Sequence, residues 1–346
     1  MEEKEAMTDI EPTASATVEG TAIRPLTGGD LEAVIAIDRA LSGRSRRGFF
    51  ARRLAHAARD PADFAAFAAE RDGRFAGFVL ARLYEGEFGA TSREAALDAI
   101  GVEHALARQH GVGRALIDHL VAALRARGIG ELATQVDWME DDLLGFFARN
   151  GFVLAPRLVL SRTSGARLPA ATPVARMPRA DHDTDYSAAD GDEFQSLAHD
   201  RLPVRSMARA DLTAIIDIDR RITGRTRAAY LARKLDEAFT ESAVRMSLVA
   251  EIDGHPAGFI MARVDDGEFG HPETEAVLDT IGVDPRHSHH GVATALLSQL
   301  MINLTALRIE SLRTEANWNQ FGLLSFLDRM GFEPLRRLAL RRPLSA

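Results

Sequence analysis

The chain contains no cysteine, which excludes disulfides, thiolate zinc sites and cysteine nucleophiles and leaves a reducing compartment acceptable. No apolar run approaches the roughly 20 residues that a membrane helix needs. The first stretch, MEEKEAMTDIEPTASATVEG, is acidic and lacks the basic and apolar regions of a secretion signal. Basic residues number 42 against 50 acidic ones, for a net charge of -8 and a pI near 5.8. That balance argues against a surface built mainly for nucleic acid. The expectation is a soluble, cytoplasmic protein with neither nucleic acid nor membrane as partner. What is present is a globular share of apolar residues, 46% over 346 positions. That length is long for one core and, at about 150 residues per domain, suggests two domains.

The chain repeats itself. LEAVIAIDRALSGRSR (31–46) returns as LTAIIDIDRRITGRTR (212–227), GEFG (86–89) returns at 267–270, and LDAIGV (97–102) returns as LDTIGV (278–283). Gly77 and Gly86 recur 181 residues on as Gly258 and Gly267, whereas Gly111 and Trp138 recur 180 residues on as Gly291 and Trp318. One residue is therefore lost just before the second glycine turn. Two copies of one domain are expected, at 21–163 and 202–343. A disordered tail (1–20) precedes them, and a linker rich in Pro, Ala, Asp and Ser (164–201) joins them.

Each copy reads as α/β, a mixed and mostly antiparallel sheet flanked by helices. Leu31, Val34, Ile35, Ile37 and Asp38 have helical spacing, with Asp30 as a cap. RGFFARRLAHAA is a second helix, and FAAFAAERDGRFAGFVLARLYEGEFG a hairpin about RDGR. AALDAIGV is a buried strand. GRALIDHLVAALRARG is a helix with Leu116, Ile117, Leu120, Val121 and Leu124 on one face, ended by Gly128. ELATQVDW is a strand, DDLLGFFARNG a helix ended by Gly151, and FVLAPRLVLSR two short strands.

Between the buried strand and its helix lies RQHGVGRAL. Two glycines in a first helical turn each cost on the order of 1 kcal/mol against alanine. A strand–turn–helix junction leaves backbone N–H groups pointing outward at the positive end of the helix dipole. Without Cβ atoms at 111 and 113 a phosphate can approach that main chain, and Arg108 and Arg114 can add charge. Ordinary turns also open on glycine, so the residues alone leave both readings standing. No G-x-G-x-x-G or Gly-Lys-Ser/Thr occurs at this turn.

Arg108-Gln109-His110-Gly111-Val112-Gly113 fits R/Q-x-x-G-x-G/A, the pyrophosphate-binding motif of the GNAT N-acetyltransferase superfamily, and FFARNGF resembles that family's YEKxGF helix ending. The order of elements also resembles the family's, over both copies. The resemblance implies two tandem GNAT domains with acetyl-CoA, or another acyl-CoA, as cosubstrate and an amine as acceptor. Its cofactor contacts would be Val102, Arg108, Gln109, His110, Gly111, Val112, Gly113 and Arg114. In the second copy the motif reads Ser288-His289-His290-Gly291-Val292-Ala293. Val283, Gly291, Val292 and Ala293 carry over there, but the leading basic residue does not. The N-terminal copy is therefore expected to be the working one. Arg286, His287, His289 and His290 either contact phosphate or form a solvated loop; no metal site is expected.

The resemblance further implies a carboxylate base on or beside the motif strand, Asp98 or Glu87 (Asp279 and Glu268 in the second copy), with backbone N–H groups near Val102 for the thioester carbonyl. The bland reading of these carboxylates is strand-end or capping residues. The family's thiolate acid, a tyrosine, is replaced by Phe147 and Leu327. That replacement supports the alternative of a non-catalytic acyl-CoA-binding regulatory or structural protein. Gly-Arg-Ser/Thr-Arg recurs at 43–46 and 224–227. Arg44 is the candidate for an anionic group on the acceptor, while Arg46, Arg47, Arg52 and Arg53 read as a solvated face of the second helix. Trp138 either walls the acceptor or fills core, core being preferred. A homodimer is carried as an expected assembly.

Overall fold

The computed structural model describes residues 16–18, 20–85, 93–106, 111–165, 202–240, 246–266 and 274–344. The first copy runs β2 (Thr21–Pro25), α1 (Leu31–Ser42), α2 (Arg47–Arg59), β3 (Phe64–Arg71), β4 (Arg74–Glu85), β5 (Arg93–Val102), α3 (Val112–Ala126), β6 (Glu131–Asp137), α4 (Asp141–Arg149) and β7 (Val153–Thr163). The second repeats it as β8 (Val204–Ser206), α5 (Leu212–Thr223), α6 (Ala228–Thr240), β9 (Leu248–Ile252), β10 (His255–Asp266), β11 (Thr274–Val283), α7 (Val292–Ala306), β12 (Ser311–Asn317), α8 (Phe321–Arg329) and β13 (Glu333–Pro343). Within the stretch expected to be disordered, Ala16–Val18 form a short strand, β1, antiparallel to β2. No described helix is long and apolar enough to cross a membrane.

Strand period decides which side chains meet which helix layer. On β3, Phe67 and Ala69 turn to the face covered by α3, and Ala66 and Ala68 to the face covered by α1 and α2. The same alternation sends Val79 of β4 to one core and Phe78 to the other. The apolar stripe of α3 from Leu116 to Leu124 is buried as its spacing predicts. Asp30 differs from expectation. It stands at the start of α1 without capping it; its carboxylate instead accepts from the Thr27 amide at 2.8 Å and from Arg24 at 2.7 and 2.8 Å.

The thirteen strands among the described residues form one sheet, in the order β1-β2-β3-β4-β5-β6-β13-β7-β12-β11-β10-β9-β8. The closing strands are exchanged. β13 pairs with β6 of the first copy from Arg337↔Asp137 to Pro343↔Glu131, and β7 pairs with β12 of the second from Thr163↔Ser311 to Arg157↔Asn317. Leu340 and Leu344 thereby enter the first copy's core, and Leu160 the second's. Backbone bonds tie down the exchanged ends: Leu344 N–H to the Gly130 carbonyl and Ser164 N–H to the Glu310 carbonyl, both 2.8 Å. FVLAPRLVLSR is one strand rather than two. Pro156, which has no N–H to give, is accommodated because the ladder to β12 stops at Arg157 and the ladder to β13 is irregular between Leu158 and Leu154.

Candidate active site

The central strand of each copy carries a bulge at the same place. β5 pairs with β4 from Arg93 to Val102, but Leu80 faces Ala99 and Ala81 faces Leu97, so Asp98 is an extra residue in the ladder. Leu97 packs with the α3 core and Ala99 with the α1–α2 core. The bulge turns Asp98 to the latter side, where Arg53 of α2 meets it. In β11 the shift between Met261 and Ala262 does the same for Asp279.

Beside the bulge the sheet opens. β5 and β6 pair in parallel only through Glu94–Ala96 and Glu131–Ala133. Thr134 Oγ1 then donates to the Leu97 carbonyl at 3.3 Å, and the strands diverge. The second copy repeats this: Ala276 and Val277 pair with Leu312 and Arg313, and Thr314 Oγ1 bonds the Leu278 carbonyl at 2.9 Å. One edge of β5, from Leu97 to Val102, therefore presents backbone N–H and C=O groups to a wedge rather than to a strand, and each such group calls for a partner.

The two glycines at the end of this wedge act differently. Gly111 caps α3 with φ +64, and a Cβ there would meet nothing within 4 Å. It serves the left-handed backbone and leaves room in front of the helix start, which no described side chain caps. Gly113 is buried, and a Cβ there would stand 3.1 Å from the Phe146 ring and 3.6 Å from Val102 Cγ2. Its bareness fits helix α4, not an anion, which corrects the reading that both positions stay open for phosphate. In the second copy Gly291 keeps the positive φ of 77°, while Ala293 takes the packing position. Val112 and Val292 are buried. Val102 and Val283 are half-buried against the α3 and α7 cores. Arg114 is exposed, 3.5 Å from Asp118. Glu87, Glu268, Arg108, Gln109 and His110 lie outside the described residues.

Asp98 is 1% exposed, with Arg53 Nε at 3.4 Å and Arg82 Nε at 3.9 Å from Oδ2. Asp279 has Lys234 Nζ and Arg263 Nε, both at 3.3 Å. Arg53 thus leaves the solvated face assigned to it. So does Arg46, which is buried in an ion pair with Asp38 and lies over the Phe49 and Phe50 rings; Arg47 is paired at the surface, with Glu32. Beside Asp279, the Tyr230 and Thr280 hydroxyls share a 2.7 Å hydrogen bond. The first copy has Phe49 and Ala99 there. Among the residues missed from sequence are Lys234, Arg82 and Arg263; the signal of the two arginines is a lone arginine in an otherwise apolar strand, FVLARL and FIMARV.

Arg44 sits exposed in the turn between α1 and α2, its N–H donating to Ser42 Oγ at 3.3 Å. Trp138 is 52% exposed, not core, because β6 ends at Asp137 and its amide reaches the Arg336 carbonyl instead of an inward turn. Phe147 and Leu327 are buried among apolar neighbours. In the second copy's loop Arg286 is held by Asp284 at 2.7 Å, and these bonds, with Arg221 nearby, pull the Asp284 carboxyl down to about 2. His290 Nδ1 lies 2.9 Å from the Ser288 carbonyl. Burial raises the Glu94 carboxyl above its usual range even with Arg157 at 2.9 Å.

A profile of the acetyltransferase (GNAT) family matches residues 34–152 and 212–332. The chain belongs to that family, as a tandem of two GNAT regions. No curated protein matches it. Among solved structures it is similar to a tandem GNAT protein from the clavulanic acid biosynthesis pathway, at 15% identity and TM-score 0.59, covering 94% of this chain and 99% of that one. A GCN5-related N-acetyltransferase from Sphaerobacter thermophilus has 14% identity and TM-score 0.58, with 96% and 98% covered. The glucosamine N-acetyltransferase region of a fungal multi-domain β-N-acetylglucosaminidase has 13% identity and TM-score 0.61, with 95% of this chain but 38% of that chain covered. At these identities the likeness is one of fold.

Proposed function

We propose that the protein is a cytoplasmic acetyl-CoA-dependent N-acetyltransferase acting on a primary amine, with the N-terminal copy as the working one. The observation that carries this is the junction of an unpaired strand wedge with an uncapped helix start at Gly111. A long thin thioester fits such a wedge: its amides pair with the free edge of β5, and its pyrophosphate meets the first N–H groups of α3. Arg108, Gln109, His110, Gly111, Val112 and Arg114 would hold the phosphates, and Val102 the thioester end. Backbone N–H groups at the bulge would stabilise the developing oxyanion. Asp98, or Glu87, is proposed as base. Arg44 and Trp138 are proposed to meet the outer part of the acceptor. With Phe147 in the core, the departing thiolate takes its proton from water.

Calorimetry with acetyl-CoA on the wild type, Gly111→Glu and Gly291→Glu tests the reading. The expected result is binding that Gly111→Glu abolishes; undiminished binding in both variants would overturn it. A second reading, acyl-CoA binding without turnover, is favoured by the ion pairs that occupy Asp98 and by the buried Phe147 and Leu327. Release of CoA over an amine panel, dependent on Asp98 or Glu87, eliminates it.

A further inference from the structure

Of the 42 lysines and arginines in the chain only two are lysines, Lys4 and Lys234. Lys4 precedes the described residues, so Lys234 is the one lysine of the two copies, and it stands where the first copy has Arg53. That exchange keeps the charge and changes the chemistry. A guanidinium stays protonated, whereas a lysine that gives up a proton is an amine of the kind acyl transfer uses as acceptor. We propose that Lys234 Nζ is a modification site, acylated within the second copy by acyl-CoA seated in that copy's own wedge. The proposal rests on the acyl-CoA reading and gives the second copy a part distinct from the turnover assigned to the first.

The bulge in β11 makes Asp279 the residue that follows Leu278 out of the regular ladder. The Leu278 carbonyl takes the Thr314 hydroxyl where β11 and β12 part, so Asp279 lies at the closed end of the second wedge. Its Oδ2 holds Lys234 Nζ at 3.3 Å. An ammonium beside a bulge carboxylate is the arrangement that base-assisted transfer requires of an acceptor amine, and here the chain supplies the amine itself. Arg263 Nε also lies 3.3 Å from Asp279 Oδ2, so the buried carboxylate keeps a cationic partner after Lys234 becomes a neutral amide. Tyr230 stands one helical turn before Lys234 on the same face of α6, and its hydroxyl shares a 2.7 Å hydrogen bond with Thr280 Oγ1. The amide is thereby set near hydroxyls where the first copy has Phe49 and Ala99.

Lys234 is 5% exposed and Asp279 4%. Burial shields Nζ from acylating reagents in bulk water, and the wedge is the route by which a thioester reaches it. Ser288 stands where the first turn has a basic residue, which weakens the second seat for pyrophosphate; a reaction that occurs once per chain proceeds from a weakly held thioester.

In the step, Asp279 takes one proton from the Lys234 ammonium. Nζ forms the C–N bond to the thioester carbonyl carbon, the C–S bond breaks, and the CoA thiolate takes up the second Nζ proton. The products are Nζ-acyl-lysine, CoA thiol and a protonated Asp279 that returns its proton to solvent. An amide does not pass its acyl group to another amine, so the mark is stable and records exposure to acyl-CoA.

The test is peptide mass spectrometry of the full-length protein incubated with acetyl-CoA and, separately, with sulfosuccinimidyl acetate, which acylates exposed amines without a binding site. The expected result is that acetyl-CoA labels Lys234 ahead of Lys4 and the chemical reagent labels Lys4 ahead of Lys234. Excess free CoA should slow acetylation of Lys234 at least tenfold, as should Gly291→Glu and Asp279→Asn, and Lys234→Arg should remove that label. The competition by CoA needs no variant and so stands even if a substitution disturbs the fold. Lys234 left unacetylated, acetylated no faster than Lys4, or acetylated at a rate that excess CoA does not change overturns the proposal. Amine-dependent CoA release with Lys234 unlabelled overturns it and leaves the acetyltransferase reading standing. Failure of acetyl-CoA to bind the protein at all overturns both.

Discussion

Lys234 Nζ lies 3.3 Å from Asp279 Oδ2, at the position where the first copy sets Arg53 against Asp98. The pair is buried on both sides, so removing one partner leaves a charge out of water. Lys234→Met is expected to cost on the order of 3 kcal/mol, and Lys234→Arg, which copies the first half, less than about 1 kcal/mol. Adding Asp279→Leu to Lys234→Met should recover part of the loss. Urea unfolding midpoints measure all three; a Lys234→Met variant as stable as wild type would show that Arg263 alone holds the aspartate.

Gly111 and Gly113 separate by substitution. Alanine at 111 must adopt φ near +64, a left-handed backbone that costs an L residue roughly 1–2 kcal/mol. Alanine at 113 gains up to about 1 kcal/mol of helix propensity and loses some of it in moving the Phe146 ring, 3.1 Å away. Thermal scans should therefore show Gly111→Ala destabilised and Gly113→Ala near wild type. The reverse order would mean that packing, not backbone conformation, limits the turn.

Asp284 gives stability a pH dependence of known sign. Its carboxyl is depressed to about 2 by the hydrogen bonds from Arg286 and by Arg221, so the native state binds its proton less readily than the unfolded chain does. The stabilisation is whole above about pH 4, the ordinary aspartate range, and is lost as pH falls toward 2. Asp284→Asn should be less stable than wild type at pH 7, and the difference should vanish near pH 2. Denaturant titrations at four pH values measure it; a difference constant with pH would place the effect in packing.

Much of this fold was legible because its signals are local. The stripe of α3, the turn at Asp72-Gly73 and the glycines that follow α1 and α4 are set by neighbours within a few positions, and duplication shows each twice. What was not legible depends on partners far away in the chain. Asp98 in LDAIGV looks like any carboxylate in a strand until the Leu80–Ala81 register makes it a bulge. Arg46 and Arg53 read as a wet face because Asp38 and Asp98 come from other elements. Trp138 read as core because nothing in ELATQVDW marks where the strand leaves the sheet. The exchange of β7 and β13 is invisible for a further reason: both carry the same apolar pattern, so either satisfies either gap.

That exchange makes a prediction about the whole chain. β13 contributes a ladder to β6, and Leu340 on it and Leu344 just after it enter the first core, while Arg125 Nε donates to the Leu344 carbonyl at 2.8 Å. Burying each leucine stabilises by roughly 1.5–3 kcal/mol, and the first copy cannot supply a substitute while β7 lies against β12. A protease site inserted between residues 166 and 201, cut after folding, should leave two fragments that elute as one particle with an unchanged thermal midpoint. Leu340→Ala should lower stability by about 2–5 kcal/mol, and near-ultraviolet circular dichroism should show it disturbing the first copy, whose Trp138 follows β6. Fragments that part on cutting and keep their separate folds would mean that each closing strand returns to its own half.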